Sequence, residues 1–208
     1  MIAANPKKST TGRLEVICGP MFSGKTEELI RRIRRALIAK QRVMTFKHCL
    51  DDRFCFDYLT SHTGDKHEAQ PIDSPERLFE LTQKGNVAVV GIDEVQFFSA
   101  SIVYVIDELV AQGKRVVVSG LDLDFRCVPF GFMPTLLALA DSVTKLKAIC
   151  TICYDDALFT QRLIDGKPAK HDDPVILIGA DESYQARCRN CYVIDQFPLK
   201  QKQTCVEQ

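Results

Sequence analysis

The sequence predicts an α/β protein in which a parallel sheet flanked by helices is followed by a small cysteine-bearing domain. Apolar segments of strand length alternate with amphipathic segments of helix length through residues 12–149, the pattern of a sheet wrapped by helices. A glycine-containing loop joins the first strand to the first helix. Two Cys-x-x-C pairs follow residue 149, where the segments become shorter.

The composition bounds the kind of partner that this protein can have. Its 208 residues are 46% hydrophobic, which is enough for a sizeable core. Lysine plus arginine equal aspartate plus glutamate at 27 each, so no overall field predicts a nucleic acid or an anionic membrane as partner. No apolar run is long enough to span a bilayer, and residues 1–11 lack the apolar core of a secretory signal. We therefore expect a cytoplasmic protein.

The first predicted strand and helix enclose a phosphate-binding loop. Residues 14–18, apolar except for Glu15, predict a strand, and residues 25–40 carry an apolar stripe at helical spacing. The loop between them fits G-x-x-x-x-G-K-[ST] with Gly19, Pro20, Met21, Phe22, Ser23, Gly24, Lys25 and Thr26. In such a loop the backbone N–H groups cradle phosphate oxygens, the lysine reaches the β- and γ-phosphates, and the threonine hydroxyl ligates Mg²⁺.

The remaining elements of this domain are shorter. Residues 42–47 predict a strand, and residues 48–68 predict a loop or a weak hairpin. Ser74 followed by Pro75 predicts the start of a helix that runs to residue 81. The later predictions are a buried strand, a helix and a strand at 87–92, 101–112 and 115–119. Residues 1–11 and 198–208 are predicted to be a mobile extension and a C-terminal tail.

An acidic pair follows the predicted strand 87–92. We expect Asp93 to hold Mg²⁺, directly or through water, opposite the phosphate loop. Glu94 is then positioned to accept a proton from the nucleophile that attacks the γ-phosphorus. A water as nucleophile makes an ATPase or GTPase and a hydroxyl makes a kinase, and the spacing leaves both open.

The two cysteine pairs predict a structural zinc site. Cys150, Cys153, Cys188 and Cys191 are the usual ligand set of a tetrahedral Zn²⁺ site, which is closed and stabilises a small domain. The 34 residues from 154 to 187 exceed the usual separation of such pairs. A redox Cys-x-x-C is the alternative, although a redox site uses one pair.

Several of these motifs together resemble the type II thymidine kinases, the cellular and bacterial branch with a zinc-bound lasso domain. They are residues 19–26, Ile92 to Phe98, Gly120 to Asp122, Phe125 to Arg126, Pro129 to Gly131, the cysteine pairs, and Ile178-Gly179 with Tyr184. The resemblance runs from about 12 to 192. It implies a P-loop NTPase-like sheet at 12–149, a zinc-binding lasso domain at 150–197, and transfer of the γ-phosphoryl of ATP to the 5′-hydroxyl of thymidine.

The resemblance also implies roles for individual residues. Glu94 is the general base, Lys25 and the loop amides hold the phosphates, and Thr26 with Asp93 handles Mg²⁺. Asp51 and Arg53 form an Asp-x-Arg near the active site, where the guanidinium offsets charge on the transferring group. Arg126 is a weaker candidate for that duty.

The resemblance extends to the substrate pocket and the assembly. Phe97 stacks on thymine, and the pocket is lined by Met21, Leu121, Phe125, Phe130 and Thr160. Segment 177–184 folds over as a lid, in which Leu177, Ile178 and Gly179 read the base edge and Tyr184 contacts the nucleoside. Zinc pins both ends of the long loop 154–187. The family further suggests a homotetramer inhibited by thymidine triphosphate (dTTP).

A different class of protein remains as an alternative. A P-loop ATPase whose zinc domain binds a nucleic acid or a protein partner has the same motifs. It predicts ATP hydrolysis that a polymer stimulates and that nucleosides do not affect. The neutral charge and the lack of a basic stripe beside aromatic residues disfavour this alternative.

Overall fold

A computed structural model describes residues 11–49, 58–60, 66–175 and 182–194. The predictions for residues 1–10 and 195–208 lie outside the described residues. The same holds for five residues of the predicted site, namely Asp51, Arg53, Leu177, Ile178 and Gly179.

The elements follow one another as the alternating pattern predicts. In order they are β1 (Arg13–Cys18), α1 (Lys25–Ile38), β2 (Val43–His48), β3 (Tyr58–Thr60), β4 (Lys66–Glu68), β5 (Gln70–Ile72), α2 (Pro75–Lys84), β6 (Val89–Asp93), one turn of 3-10 helix (Val95–Phe97), α3 (Ser101–Ala111), β7 (Arg115–Gly120), α4 (Met133–Leu139), β8 (Ser142–Lys145), β9 (Ala148–Ile149), β10 (Asp156–Ala157), β11 (Phe159–Ile164), β12 (Lys167–Pro168) and β13 (Glu182–Arg187).

Within the described residues, six strands form a parallel sheet in the order β5-β2-β6-β7-β1-β8. Residues that alternate along a strand point to opposite faces, so each face packs its own core. Val16 of β1 belongs to the core under α2, α3 and α4, whereas Ile17 packs with Leu29 and Ile33 of α1. The α/β prediction is therefore confirmed, with a helical layer on each face of the sheet.

Some elements differ from the predictions at their ends or were not predicted. The helix expected at 74–81 continues to Lys84. The 48–68 segment contains the antiparallel hairpin β3–β4, which is one of the two alternatives predicted for it. Strand β5 was not predicted because it has three residues and contains Pro71. Proline is tolerated there because β5 lies at the edge of the sheet, where a missing N–H donor leaves no ladder bond unmade.

Residues 154–187 are not the long loop that the sequence predicts. They include β11, which pairs with β12 and β13 in an antiparallel sheet, and β10, which pairs with β9. The sequence obscured β11 because Gln161 and Arg162, two polar residues, are buried in its middle. The proposed division into domains at residue 149 stays a prediction.

Candidate functional site

The phosphate loop is shaped by backbone conformations that few residues adopt. Gly19 has a φ of 145° and Gly24 a φ of 82°, both in the region that favours glycine. A Cβ at Gly19 would lie 2.5 Å from the carbonyl oxygen of Leu146, which follows β8. The loop therefore requires glycine at this position, because any side chain would collide with the backbone of its neighbour.

Lys25 begins α1 and is buried beneath the loop. Its Nζ donates a hydrogen bond to the carbonyl oxygen of Pro20 at 2.7 Å. Burial lowers the pKa of Lys25, and the charges of Glu94, Asp93 and Asp122 oppose that shift. The ammonium group thus lies within electrostatic reach of the acidic pair at the end of β6.

Asp93 is held by three donors at the end of β6. Thr26 Oγ1 donates to its Oδ2 at 2.9 Å, the Glu94 backbone N–H donates to its Oδ1 at 3.1 Å, and Ser119 Oγ donates to the same Oδ1. Burial and the neighbouring charge of Glu94 raise the pKa of Asp93 to about 6. The hydroxyl of Thr26 and the carboxylate of Asp93 are oxygen ligands, which is the donor set that Mg²⁺ prefers.

Glu94 turns out of the strand into the left-handed region, with a φ of 51°. Its side chain is partly exposed, and its Oε2 accepts a hydrogen bond from Gln96 Nε2 at 2.5 Å. Gln96 in turn accepts a bond from the Leu121 backbone N–H at 3.1 Å. The acid therefore lies between the phosphate loop and the segment after β7.

Phe97 lies next to Glu94, because its backbone N–H donates to the Glu94 carbonyl oxygen at 3.2 Å. Phe97 meets Phe130 edge to face, with ring centroids 5.6 Å apart and an interplanar angle of 89°. Both rings are partly exposed, whereas Phe125 is buried with the guanidinium carbon of Arg162 5.1 Å from its ring centroid. Partly exposed rings next to a carboxylate provide an apolar face on which a planar ring can stack.

The elements after residue 149 contact the phosphate loop at Met21 and the segment after β7 at Phe125. The Met21 backbone N–H donates to Thr160 Oγ1 of β11 at 3.0 Å. The Tyr192 hydroxyl donates to the carbonyl oxygen of Phe125. These two contacts hold β11, and the residue that follows Cys191, against the candidate site.

The four predicted cysteine ligands form a cluster. Their Sγ atoms all lie within 4.8 Å of one another, and the Cys153 and Cys188 sulfurs are 3.5 Å apart. Sulfurs around a tetrahedral zinc ion at about 2.3 Å are about 3.8 Å apart, so the cluster fits Zn²⁺. Burial raises the pKa of Cys150, but backbone N–H donors from Cys153, Cys188 and Ile152 outweigh it and bring that pKa to about 6. The cluster suggests a structural zinc site.

The predicted site residues that the structure describes fall into neighbouring groups. Lys25, Thr26, Asp93 and Glu94 come together through the contacts above, and Met21 meets Thr160. Tyr184 lies in β13 opposite Arg162, in a paired strand. Sequence reasoning assigned no role to Ser119 or Gln96. The signal for Ser119 was a polar residue inside an otherwise apolar run, and the signal for Gln96 was its place in the motif Ile92 to Phe98.

A phosphate loop between the first strand and helix of a parallel sheet, with an acidic pair at the end of a nearby strand, defines the class of nucleotide-binding phosphoryl-transfer enzymes. The sequence model of one family, described as "TK: Thymidine kinase", matches residues 12–192. The chain belongs to the thymidine kinase family and is a kinase, and the predicted resemblance is confirmed. No helix in the described part of the chain has both the length and the apolar character needed to cross a membrane.

Proposed function

We propose that this protein transfers the γ-phosphoryl group of ATP to the 5′-hydroxyl of thymidine, giving dTMP in the salvage of pyrimidine deoxynucleosides. The proposal is carried by the position of Glu94. Its carboxylate is close enough to Lys25 to influence the pKa of that residue, and it is joined through Gln96 to Leu121 in the predicted pocket. The Glu94 carboxylate is thus linked both to the phosphate loop, through Lys25, and to the predicted pocket for a planar base, through Gln96.

On the donor side, the amides of residues 19–24 and the ammonium of Lys25 bind the β- and γ-phosphates of ATP. Thr26 and Asp93 would hold Mg²⁺, whose charge would offset that of the phosphates. The hydrogen bond between these two side chains supports the assignment, because it holds the two oxygen ligands together at 2.9 Å.

On the acceptor side, Glu94 takes the proton of the 5′-hydroxyl as that oxygen attacks the γ-phosphorus. Phe97 stacks on thymine, and the residues around the ring are Met21, Leu121, Phe125, Phe130 and Thr160. The proposal extends to residues outside the described part of the chain. For Asp51 and Arg53 we propose a role in the transfer step, and for Leu177, Ile178 and Gly179, with Tyr184, a role in recognising the base.

The part after residue 149 is proposed to act as a zinc-stapled lasso domain at 150–197, attached to the kinase domain at 12–149. Zn²⁺ bound by the four cysteines shortens the chain that must be ordered over the substrate, so closing the lid costs less conformational entropy. We further propose a cytoplasmic homotetramer inhibited by dTTP that needs no nucleic acid partner.

The test is to incubate the protein with Mg²⁺ and ATP, adding each nucleoside in turn, and to measure nucleoside monophosphates and ADP. We expect dTMP with thymidine. Glu94→Gln should retain nucleotide binding and lower turnover by about 10²–10⁴-fold, the range for a lost general base. Glu80→Gln, in the exposed pair with Arg77, is the matched control and should keep full turnover.

Two results would contradict the proposal. Full turnover in Glu94→Gln removes that residue from the chemistry. ADP release that a nucleic acid stimulates, and that thymidine leaves unchanged, instead supports the alternative of a P-loop ATPase whose zinc domain binds a polymer.

A further inference from the structure

We propose that Gln96 is the positioning residue of this kinase, which orients the Glu94 carboxylate toward the acceptor hydroxyl and couples it to the wall of the acceptor pocket. The inference rests on the proposed role of Glu94 as general base. It adds a residue whose side chain acts through Glu94 and through Leu121.

Both ends of the Gln96 amide are engaged. A carboxylate only accepts hydrogen bonds and a backbone N–H only donates them. The Gln96 side chain must therefore turn its NH₂ group toward Glu94 Oε2, at 2.5 Å, and its oxygen toward Leu121 N, at 3.1 Å. Gln96 is 3% exposed, so water competes poorly for either bond.

Two glycines approach Gln96 closely. A Cβ at Gly120 would lie 2.5 Å from Gln96 Oε1, and a Cβ at Gly131 would lie 2.4 Å from the Gln96 carbonyl oxygen. Gly131 also has a φ of 52°, in the left-handed region. Gly120, the last residue of β7, therefore lies against the Gln96 side-chain oxygen, and Gly131 lies against the Gln96 backbone.

This geometry solves a problem that Glu94 faces. The glutamate side chain is partly exposed and has three rotatable bonds, so alone it would sample many orientations. The bond from Gln96 fixes Oε2 and directs Oε1 to the substrate. Oε1 then takes the 5′-hydroxyl proton while the 5′-oxygen bonds to the γ-phosphorus and the bond from that phosphorus to the departing ADP oxygen breaks.

Through Leu121, Gln96 connects Glu94 to the wall of the predicted pocket. Leu121 follows β7 and is partly exposed in the predicted thymidine pocket. The amide of Gln96 therefore links the residue that takes the proton to a residue that contacts the base. A nucleoside seated against Leu121 meets a carboxylate already held at a fixed distance from that wall.

The test is a double-mutant cycle between Gln96→Met and Glu94→Gln, with kcat and the thymidine KM measured in each variant. Gln96→Met keeps the length of the side chain and removes both hydrogen bonds. We expect kcat to fall about 10²-fold, the cost of misplacing a reacting group by about 1 Å, with KM changing less than about threefold. In the Glu94→Gln background the same change should cost less than about threefold, because the base that Gln96 orients is already gone.

Gln96→Glu serves as a second variant that keeps the acceptor for Leu121 N–H and the volume of the side chain. It replaces the NH₂ donor with a carboxyl group that can donate to Glu94 only when it is protonated. We expect Gln96→Glu to lower kcat about as much as Gln96→Met does, because a carboxylate donates no hydrogen bond to Glu94. A role confined to packing predicts full turnover in Gln96→Glu, since the volume of the side chain is kept.

The matched control is Gln83→Met in α2, where the exposed amide of Gln83 donates to Gln112 at 2.9 Å. It should leave kcat and KM unchanged. Equal losses from Gln96→Met in both backgrounds, or no loss in either, would overturn the inference while Glu94 keeps its role. Full turnover in Glu94→Gln alone would overturn both the proposed function and this inference.

Discussion

Glu15 is a buried carboxylate that three guanidinium groups surround. Its oxygens accept hydrogen bonds from Arg13 at 2.8 Å, from Arg32 at 2.9 Å and from Arg115 at 2.6 Å. Burial raises the pKa of Glu15, but the bonds from Arg115 and Arg13 outweigh it and bring that pKa to about 2. The residue therefore stabilises the fold through its charged form.

We predict that Glu15→Gln destabilises the protein by about 3 kcal/mol at neutral pH, the cost of breaking a buried ion pair. The folded-state pKa is depressed below its ordinary value of 4.5. The stabilisation from Glu15 is therefore complete above that value and is lost as the pH falls toward 2. Urea unfolding of both proteins at a series of pH values measures the difference.

The control for this prediction is Glu80→Gln. Glu80 pairs with Arg77 at 3.0 Å, but both side chains are more than half exposed, and such pairs contribute about 1 kcal/mol or less. A difference between wild type and Glu15→Gln that stays constant from pH 7 to about 2 would contradict the role assigned to the charge.

Single residues were predictable where their role is local to a motif. Gly19, Gly24 and Lys25 act within one contiguous loop, and Asp93 follows because the ends of parallel strands meet at one edge. Gln96 was not predicted to matter. Its partner Leu121 comes 25 residues later, and no periodic pattern along the chain connects the two.

At the scale of elements, the chain after β8 packs against the phosphate loop. The carbonyl oxygen of Leu146 lies where a Cβ at Gly19 would be. The Leu146 N–H donates a hydrogen bond to the carbonyl oxygen of Cys18 at 2.8 Å. The chain after β8 therefore forms one wall of the loop. Its backbone prevents any residue other than glycine at position 19.

We predict that Gly19→Ala weakens ATP binding by at least about tenfold, because either the loop or the chain after β8 must move to relieve the contact. Isothermal titration with ATP measures the change. Gly166→Ala is the control, since Gly166 also has a positive φ, 72°, but a Cβ there meets nothing within 4 Å. It should cost about 1–2 kcal/mol of stability from backbone strain and leave ATP affinity unchanged. Equal losses of affinity would contradict the steric argument.

Elements were predictable from sequence where burial and length agree. Strand β6 is buried along its whole length and is apolar up to Asp93, and α1 has a clear apolar stripe, so both were predicted. Strands β5 and β8 lie at the edges of the sheet and are short, and β8 is largely exposed. Their sequences carry no alternation because pairing with a neighbour, rather than burial of one face, determines their structure.

The parts of the molecule before and after residue 149 meet through specific contacts. These include the bond between Met21 and Thr160 and the bond from the Tyr192 hydroxyl to the carbonyl oxygen of Phe125. Within the second part, the Tyr192 ring lies 5.2 Å from that of Phe159. Tyr192 directly follows the last cysteine of the cluster. The cysteine cluster therefore positions a residue that supports the predicted pocket.

We predict that Tyr192→Phe raises the thymidine KM about fivefold and leaves ATP affinity unchanged. The substitution keeps the ring and removes the hydrogen bond to the Phe125 carbonyl oxygen, worth about 1 kcal/mol. Steady-state kinetics with each substrate varied in turn measure both quantities. Tyr104→Phe, at an exposed tyrosine of α3, is the control. An equal rise in the ATP KM would show that Tyr192 stabilises the fold as a whole and does not act on the thymidine pocket.

Removing zinc is the test at the scale of the whole molecule. The cysteine cluster joins the chain at 150–153 to the chain at 188–191, and Tyr192, which follows the cluster, bonds to the carbonyl oxygen of Phe125 in the predicted pocket. We expect a zinc chelator to abolish thymidine binding while ATP binding persists, because loss of the metal unfolds the part of the chain that the metal closes.

Cys153→Ser should lower bound zinc and thymidine affinity together, whereas Cys49→Ser, outside the cluster, should retain both. Elemental analysis and titration with each substrate provide the measurements, and simultaneous loss of ATP and thymidine binding on chelation would show that the two parts unfold as one unit.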